Sequence, residues 1–141
     1  WSVDIAQHGI TGTSLDKISL FIEYGIRKGN VGTLWQNIAF GTARNQNGNA
    51  ITTENREYVK RPYRGIPDEL WQAMAAWAVE TGNTGGNIKK ANKVFSPQMN
   101  AIAPEYKKRI SEHAYEEAIR LFEATRSAGL AESVWDALGG M

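Results

Sequence analysis

The sequence predicts an all-α protein, a small helical bundle with additional C-terminal helices. Three observations support this prediction: apolar residues recur at spacings of three and four in several segments, each segment has its own stop signal, and 141 residues are enough for one hydrophobic core. We expect a single helical domain over residues 1–141, with an N-terminal extension (1–12), a bundle-like region (13–82) and a C-terminal helical region (83–141).

The first predicted helix follows a possible N-cap, Thr13 or Ser14, and ends at Gly29, where a left-handed residue is favoured. Its apolar residues recur at helical spacing: Leu15, Ile18, Ile22 and Ile26. A second segment, 34–43, is a weaker helix candidate because it contains β-type residues and ends near Gly41. The polar run 45–49 is then a loop.

The second half of the chain predicts four more helices. Ile66-Pro67-Asp68 is typical of a helix start, and Gly82 ends that helix. A short helix over 88–95, a long helix from Pro104 towards Gly129 and a last short helix over 131–138 follow. The core is expected to contain eight apolar residues from these segments: Ile18, Ile22, Leu70, Met74, Trp77, Ile110, Leu121 and Phe122.

The charged residues are unevenly distributed, although the formal net charge is only +1. Basic residues gather in the middle of the chain, and acidic residues predominate from Glu112 onward. A charge run is most often a solvated helix face, but a basic surface is also what phosphate binding requires. The candidate DNA-binding residues are Arg56, Lys60, Arg61, Arg64, Lys89, Lys90, Lys93, Lys107, Lys108 and Arg109.

Residues suited to catalysis are scarce. The chain has no cysteine, its only histidines are His8 and His113, and it carries none of the common metalloprotease, nucleophile-elbow or nucleotide-binding motifs. We therefore expect no cofactor, no metal site and no enzyme activity. No apolar run approaches the roughly 20 residues that span a bilayer, so no membrane contact is evident from the sequence.

One segment favours an alternative. The run Ala-Val-Glu-Thr-Gly-Asn at 78–83 looks like the glutamate-bearing turn of bacterial glucosaminidases, in which the glutamate is the general acid. Glu80 would then be the acid of a peptidoglycan-cleaving domain. The chain lacks the continuation of that family, so Glu80 is otherwise an ordinary residue near a helix end.

Two stretches within residues 5–82 carry a second pattern. The first is Gln-His-Gly-Ile-Thr-Gly-Thr-Ser at 7–14, followed by Tyr-Gly-Ile-Arg-Lys at 24–28, and the second is Tyr63 with Gly-Ile-Pro-Asp-Glu-Leu at 65–70. In this order they resemble the turns and helix entries of the major capsid proteins of rod-shaped and filamentous archaeal double-stranded DNA viruses. The chain departs from that family in lacking a basic N-terminal arm, and 59 residues follow Gly82 beyond the similarity.

The resemblance implies a structural virion protein that polymerises into a helical capsid around linear double-stranded DNA held in A-form. Its partner would be itself or a homologous second capsid protein, and its basic residues would bind phosphates without base readout. We also expect some of Trp1, Trp35, Tyr115 and Trp135 to be buried only by neighbouring chains. A helical interaction module, such as a toxin domain or a phage assembly factor, is a third hypothesis.

Overall fold

Two short parallel strands distinguish the fold from the predicted all-α bundle. The computed structural model describes residues 3–139, of which about half are helical. Strand β1 (Ile5–Gln7) pairs in parallel with β2 (Ile26–Gly29), and helix α1 (Leu15–Ile18) lies in the connection between them. The fold is therefore mixed α/β, and the all-α prediction was wrong.

The error lies in the first predicted helix, over 13–29. Helix α1 ends at Ile18, hydrogen-bonded turns follow, and Gly25, with a φ of 73°, leads into β2. Ile26 stands opposite Ile5, a partner that is distant in sequence. The apolar spacing of three and four is compatible with a helix, but it cannot show that a distant strand holds the end of the segment in an extended conformation.

Helix α2 (Thr33–Phe40) follows β2 and ends at Gly41 in the left-handed conformation. The chain then returns through short antiparallel bridges, in which Thr42 pairs with Lys60 and Thr52 with Tyr58. This return ends at Ile66, whose N–H group donates to the carbonyl of Ala39. The segment 41–66 therefore joins the end of α2 to the start of the next helix.

The remaining chain is helical, as the sequence predicts for this half. Helix α3 (Asp68–Glu80) is followed by a 3-10 helix (Gly85–Lys90), and then by α4 (Ala91–Val94) and α5 (Ser96–Asn100). The long helix α6 (Pro104–Ala124) packs against α1 and α2, and α7 (Ala131–Ala137) completes the described chain. None of the helices within residues 3–139 combines the length and the apolar character needed to cross a membrane.

The main core lies where α2 and α3 meet the short helices after α3. Its buried members are Phe40, Ile66, Trp71, Met74, Ala78, Ile88 and Ala91. Of the eight predicted core residues, Ile18 and Met74 are buried, and Leu70, Trp77, Ile110 and Leu121 are partly buried. Ile22 and Phe122 were predicted wrongly, because they are 45% and 51% exposed.

Candidate ligand site at the strand ends

The carboxyl ends of β1 and β2 lie side by side, because the two strands are parallel. Beyond the last strand pair, Gln7 opposite Gly29, the N–H of Asn30 donates to the carbonyl of Gln7 over 3.0 Å. The N–H of Ile10 donates in turn to the carbonyl of Asn30, also over 3.0 Å. The loops that follow both strands therefore start from one edge, the position in which parallel α/β folds bind ligands.

Two polar side chains meet at this edge. The side-chain nitrogen of Asn30 lies 2.9 Å from Nδ1 of His8. Because an amide NH₂ group can only donate, Nδ1 accepts, and a neutral His8 ring then carries its proton on Nε2. His8 is exposed and Asn30 half-buried, so the edge offers a ring N–H donor next to solvent.

The start of helix α2 adds backbone donors to the same edge. Residues 30–32 connect β2 to α2, the N-cap residue Gly32 has no side chain to cap the helix, and the first turn has no acidic residue. The N–H of Leu34 donates to the hydroxyl of Thr11 over 3.2 Å. Within residues 3–139, the N–H groups of Gly32, Thr33 and Trp35 have no hydrogen-bond acceptor. Such a helix end carries partial positive charge and favours anions.

The turn after β1 is held in place by the loop at 45–49. Gly12 has a φ of 94°, and its N–H donates to the carbonyl of Asn47 over 3.0 Å. A side chain at Gly12 would overlap the amide group of Asn49. Glycine is therefore favoured at this position by its backbone conformation, whereas the exposed Asn49 side chain could move aside.

The arrangement is suited to binding an anion through neutral donors and offers no metal centre of its own. Within residues 3–139, no three side chains of the types His, Cys, Asp and Glu come together in a way that could hold a metal ion. The donors are the ring N–H of His8 and the N–H groups of α2 that have no acceptor. The first turn of α2 has no acidic side chain that would repel an anion. Phosphate and carboxylate groups match this pattern.

Two contacts in the structure bring together segments that carry predicted DNA-binding residues. Arg109 on α6 donates to the carbonyl of Tyr63 over 3.3 Å, which places the start of α6 beside the loop at 61–64. The backbone of Arg56 approaches Gly85 at the start of the 3-10 helix that bears Lys89 and Lys90. Arg61 and Arg64 belong to that loop, and Lys107 and Lys108 precede Arg109 in the N-terminal part of α6, whereas Lys93 is on α4.

Lys60 differs from the other nine basic residues. Its side chain is only 9% exposed and lies 3.0 Å from a carboxylate oxygen of Asp68. The ammonium group also donates to the carbonyl of Arg64. Lys60 therefore stabilises the chain before α3 and is not free to bind a phosphate. Glu80, the alternative catalytic acid, is the exposed last residue of α3.

Sequence reasoning missed His8, Asn30 and the start of α2 as a site. It treated the segment around His8 as a turn before a helix, and the segment around Asn30 as the end of that helix. Glycine-rich turns after the β-type residues of 3–6 and 26 were the available signal for two strand ends. No family model, no curated protein and no solved structure matches the chain significantly.

Proposed function

We propose that the protein binds a small molecule bearing a phosphate or carboxylate group at the carboxyl edge of β1 and β2. The observation that carries this proposal is the contact between His8 and Asn30 beside the uncapped start of α2. In this arrangement the anionic group accepts hydrogen bonds from N–H groups of α2, and the His8 ring N–H donates to the same ligand.

The position of the site is one that α/β enzymes also use. In α/β proteins with parallel strands, substrates bind and reacting side chains lie at the carboxyl ends of the strands. A histidine is also the side chain best suited to transfer a proton near neutral pH. This support is an analogy at the level of the fold. The expectation that the chain is not an enzyme stays a prediction.

The test is a nuclear magnetic resonance titration of the protein with glycerol 3-phosphate, and with glycerol as the uncharged probe. We expect the backbone amide signals of Gly32 and Thr33 to move with glycerol 3-phosphate only. His8→Ala should weaken binding by about tenfold, the loss typical of one hydrogen bond to a charged group. Asn100→Ala, an exposed substitution on α5, is the control and should leave binding unchanged. If glycerol 3-phosphate does not move the amide signals of Gly32 and Thr33, the proposal is wrong.

A second candidate is the coat protein of a helical virion that packages linear double-stranded DNA, in A-form, together with itself or a homologous partner. The specific observation in its favour is that Arg109 on α6 contacts the backbone of Tyr63, in the loop that also carries the basic residues Arg61 and Arg64. The all-α bundle implied by the resemblance is not retained. Binding through phosphates requires only an exposed basic surface, which either fold can present.

Salt dependence tests this second candidate. For a DNA duplex of arbitrary sequence, the slope of log affinity against log salt should flatten by about one unit for each phosphate-binding lysine removed. The double variant Lys89→Ala, Lys93→Ala should therefore flatten the slope by about two units. The double variant Lys17→Ala, Lys28→Ala removes two exposed lysines outside the candidate set and should have no such effect. Equal slopes in all three proteins would contradict DNA binding by the basic middle of the chain.

A further inference from the structure

A polar cavity of about 210 Å³ lies between α6 and the return segment after α2. Three arginines from three parts of the chain line it. Arg44 stands in the bridged segment opposite Ala50, Arg61 follows the bridge at Lys60, and Arg120 is on α6. Arginines that converge from separate segments require the tertiary fold, so this cluster is invisible in the sequence.

The cluster has more positive than negative charge. Glu117 is the only acidic residue that lines the cavity, and both its oxygens are already in use. Oε1 accepts from Arg44 over 3.0 Å, and Oε2 accepts from Arg120 over 3.4 Å. No carboxylate within residues 3–139 lies within ion-pair distance of Arg61. Three guanidinium groups against one carboxylate leave a net charge of +2.

The buried and the exposed charges of this cluster differ in their partners, because Arg61 and Arg120 are exposed and Arg44 is not. The side chains of Arg44 and Glu117 are only 11% and 17% exposed. A charge removed from water is stabilised only by partners that replace its hydration. Glu117 and His113 are such partners for Arg44, and the remaining positive charge of the cluster, on Arg61 and Arg120, is accessible to a ligand.

His113 holds Arg44 in this position without adding charge. Nε2 of His113 lies 2.6 Å from Nη2 of Arg44. A guanidinium group only donates, so Nε2 accepts and the ring is neutral. Burial, and then the positive charges of Arg44 and Arg64, lower the pKa of His113, whereas Glu117 and Glu116 act in the opposite direction. His113 therefore positions Arg44.

We propose that this cavity binds the dianionic phosphate group of a phosphate monoester. Planar guanidinium groups bind phosphate oxygens in paired hydrogen bonds, and a phosphate dianion matches the net charge of +2. The amide side chains of Asn45 and Gln46 line the same cavity as further polar groups. The ligand is distinct from one bound at the strand ends, because none of His8, Asn30 or Thr33 lines this cavity.

The test follows the Nε–H signals of Arg44 and Arg120 by nuclear magnetic resonance while inorganic phosphate or glycerol 3-phosphate is added. Both probes should move these signals in the wild-type protein and in the His8→Ala variant. Arg61→Gln and Arg120→Gln should each weaken binding by about tenfold, since each removes a charged hydrogen-bond donor. Arg61 and Arg120 are exposed, so we expect both variants to fold.

Arg27→Gln is the matched control. Arg27 is an exposed arginine on β2 that pairs with Asp4, so this substitution removes the same charge at another place in the protein. It should leave the affinity unchanged. The proposal is overturned if neither phosphate moves the signals, or if Arg27→Gln weakens binding as much as Arg61→Gln. If the Nε–H signals of Arg44 and Arg120 do not move in the His8→Ala variant, the phosphate binds at the strand ends instead. A response to a DNA duplex but to neither small phosphate would exclude the monoester.

Discussion

Two glycines determine how the end of α2 meets the start of α3. Gly41 and Gly65 have φ angles of 74° and 67°, and their backbones touch. A side chain on Gly41 would overlap the carbonyl of Arg64, and one on Gly65 would overlap the backbone of Gly41. This close approach brings Ile66 into the core next to Phe40. The sequence suggested Gly41 as a helix end, but the contact with Gly65 depends on the tertiary fold.

We expect Gly41→Ala to lower the free energy of unfolding by about 3 kcal/mol or more, because it adds steric overlap to an unfavourable left-handed conformation. Gly82→Ala is the control: its φ is 69°, but no atom lies within 4 Å of the added carbon. The control should lose only about 1 kcal/mol. Urea denaturation measures both changes. Equal midpoints for the two variants would show that the approach of Gly41 to Gly65 is unimportant.

At the scale of elements, locally stabilised helices could be predicted and non-local strands could not. Helix α3 has an apolar stripe, a proline before its first residue and two acidic residues in its first turn, all visible in its own segment. Strands β1 and β2 have three and four residues and exist because each pairs with the other across a long connection. The His8 and Asn30 site lies at the ends of these strands, so a prediction that missed the strands also missed the site.

The difference between Ile18 and Ile22 tests the corrected start of the chain. A helix over 13–29 would bury both residues, whereas the structure buries Ile18 and exposes much of Ile22. We expect Ile18→Ala to lower the free energy of unfolding by about 3 kcal/mol, as is usual for a buried isoleucine. Ile22→Ala should cost less than about 1 kcal/mol in dilute solution, because little apolar area is lost from the interior. Similar losses for both variants would support the continuous helix.

For the whole molecule, the parallel strand pair leaves surfaces that such sheets normally cover. Every residue of β1 is exposed, and in β2 only Ile26 is partly buried. Parallel sheets in globular proteins have both faces covered. Next to β2 lies an open groove of about 660 Å³, lined largely by apolar side chains: Phe21, Ile22, Ile26, Val31, Leu121 and Phe122. An apolar surface of this kind is typical of a region that associates with another protein.

The aromatic residues expected at an interface agree with this surface only in part. Tyr115 and Trp135 are exposed, Trp35 is half-buried and lines the groove, and Trp1 lies outside the described residues. Phe122 and Ile22, which the sequence placed in the core, are exposed in the groove instead. Periodicity identified the apolar faces of α6 and of the segment after α1, but it could not show whether the partner was the same chain or another one.

The last prediction is that the protein associates with itself through this groove. Phe122→Glu places a charge where a second copy would bury an aromatic ring, so we expect the dissociation constant of the oligomer to rise by about tenfold or more. Val94→Glu places the same charge on α4, at another exposed apolar residue that does not line the groove, and should leave association unchanged. Both residues are half exposed, so neither substitution should unfold the monomer. Sedimentation velocity over a range of concentrations measures the effect, and circular dichroism checks that both variants keep the wild-type fold. A wild-type protein that sediments as a monomer at every concentration would contradict the prediction, and the open faces of β1 and β2 would then need a different partner.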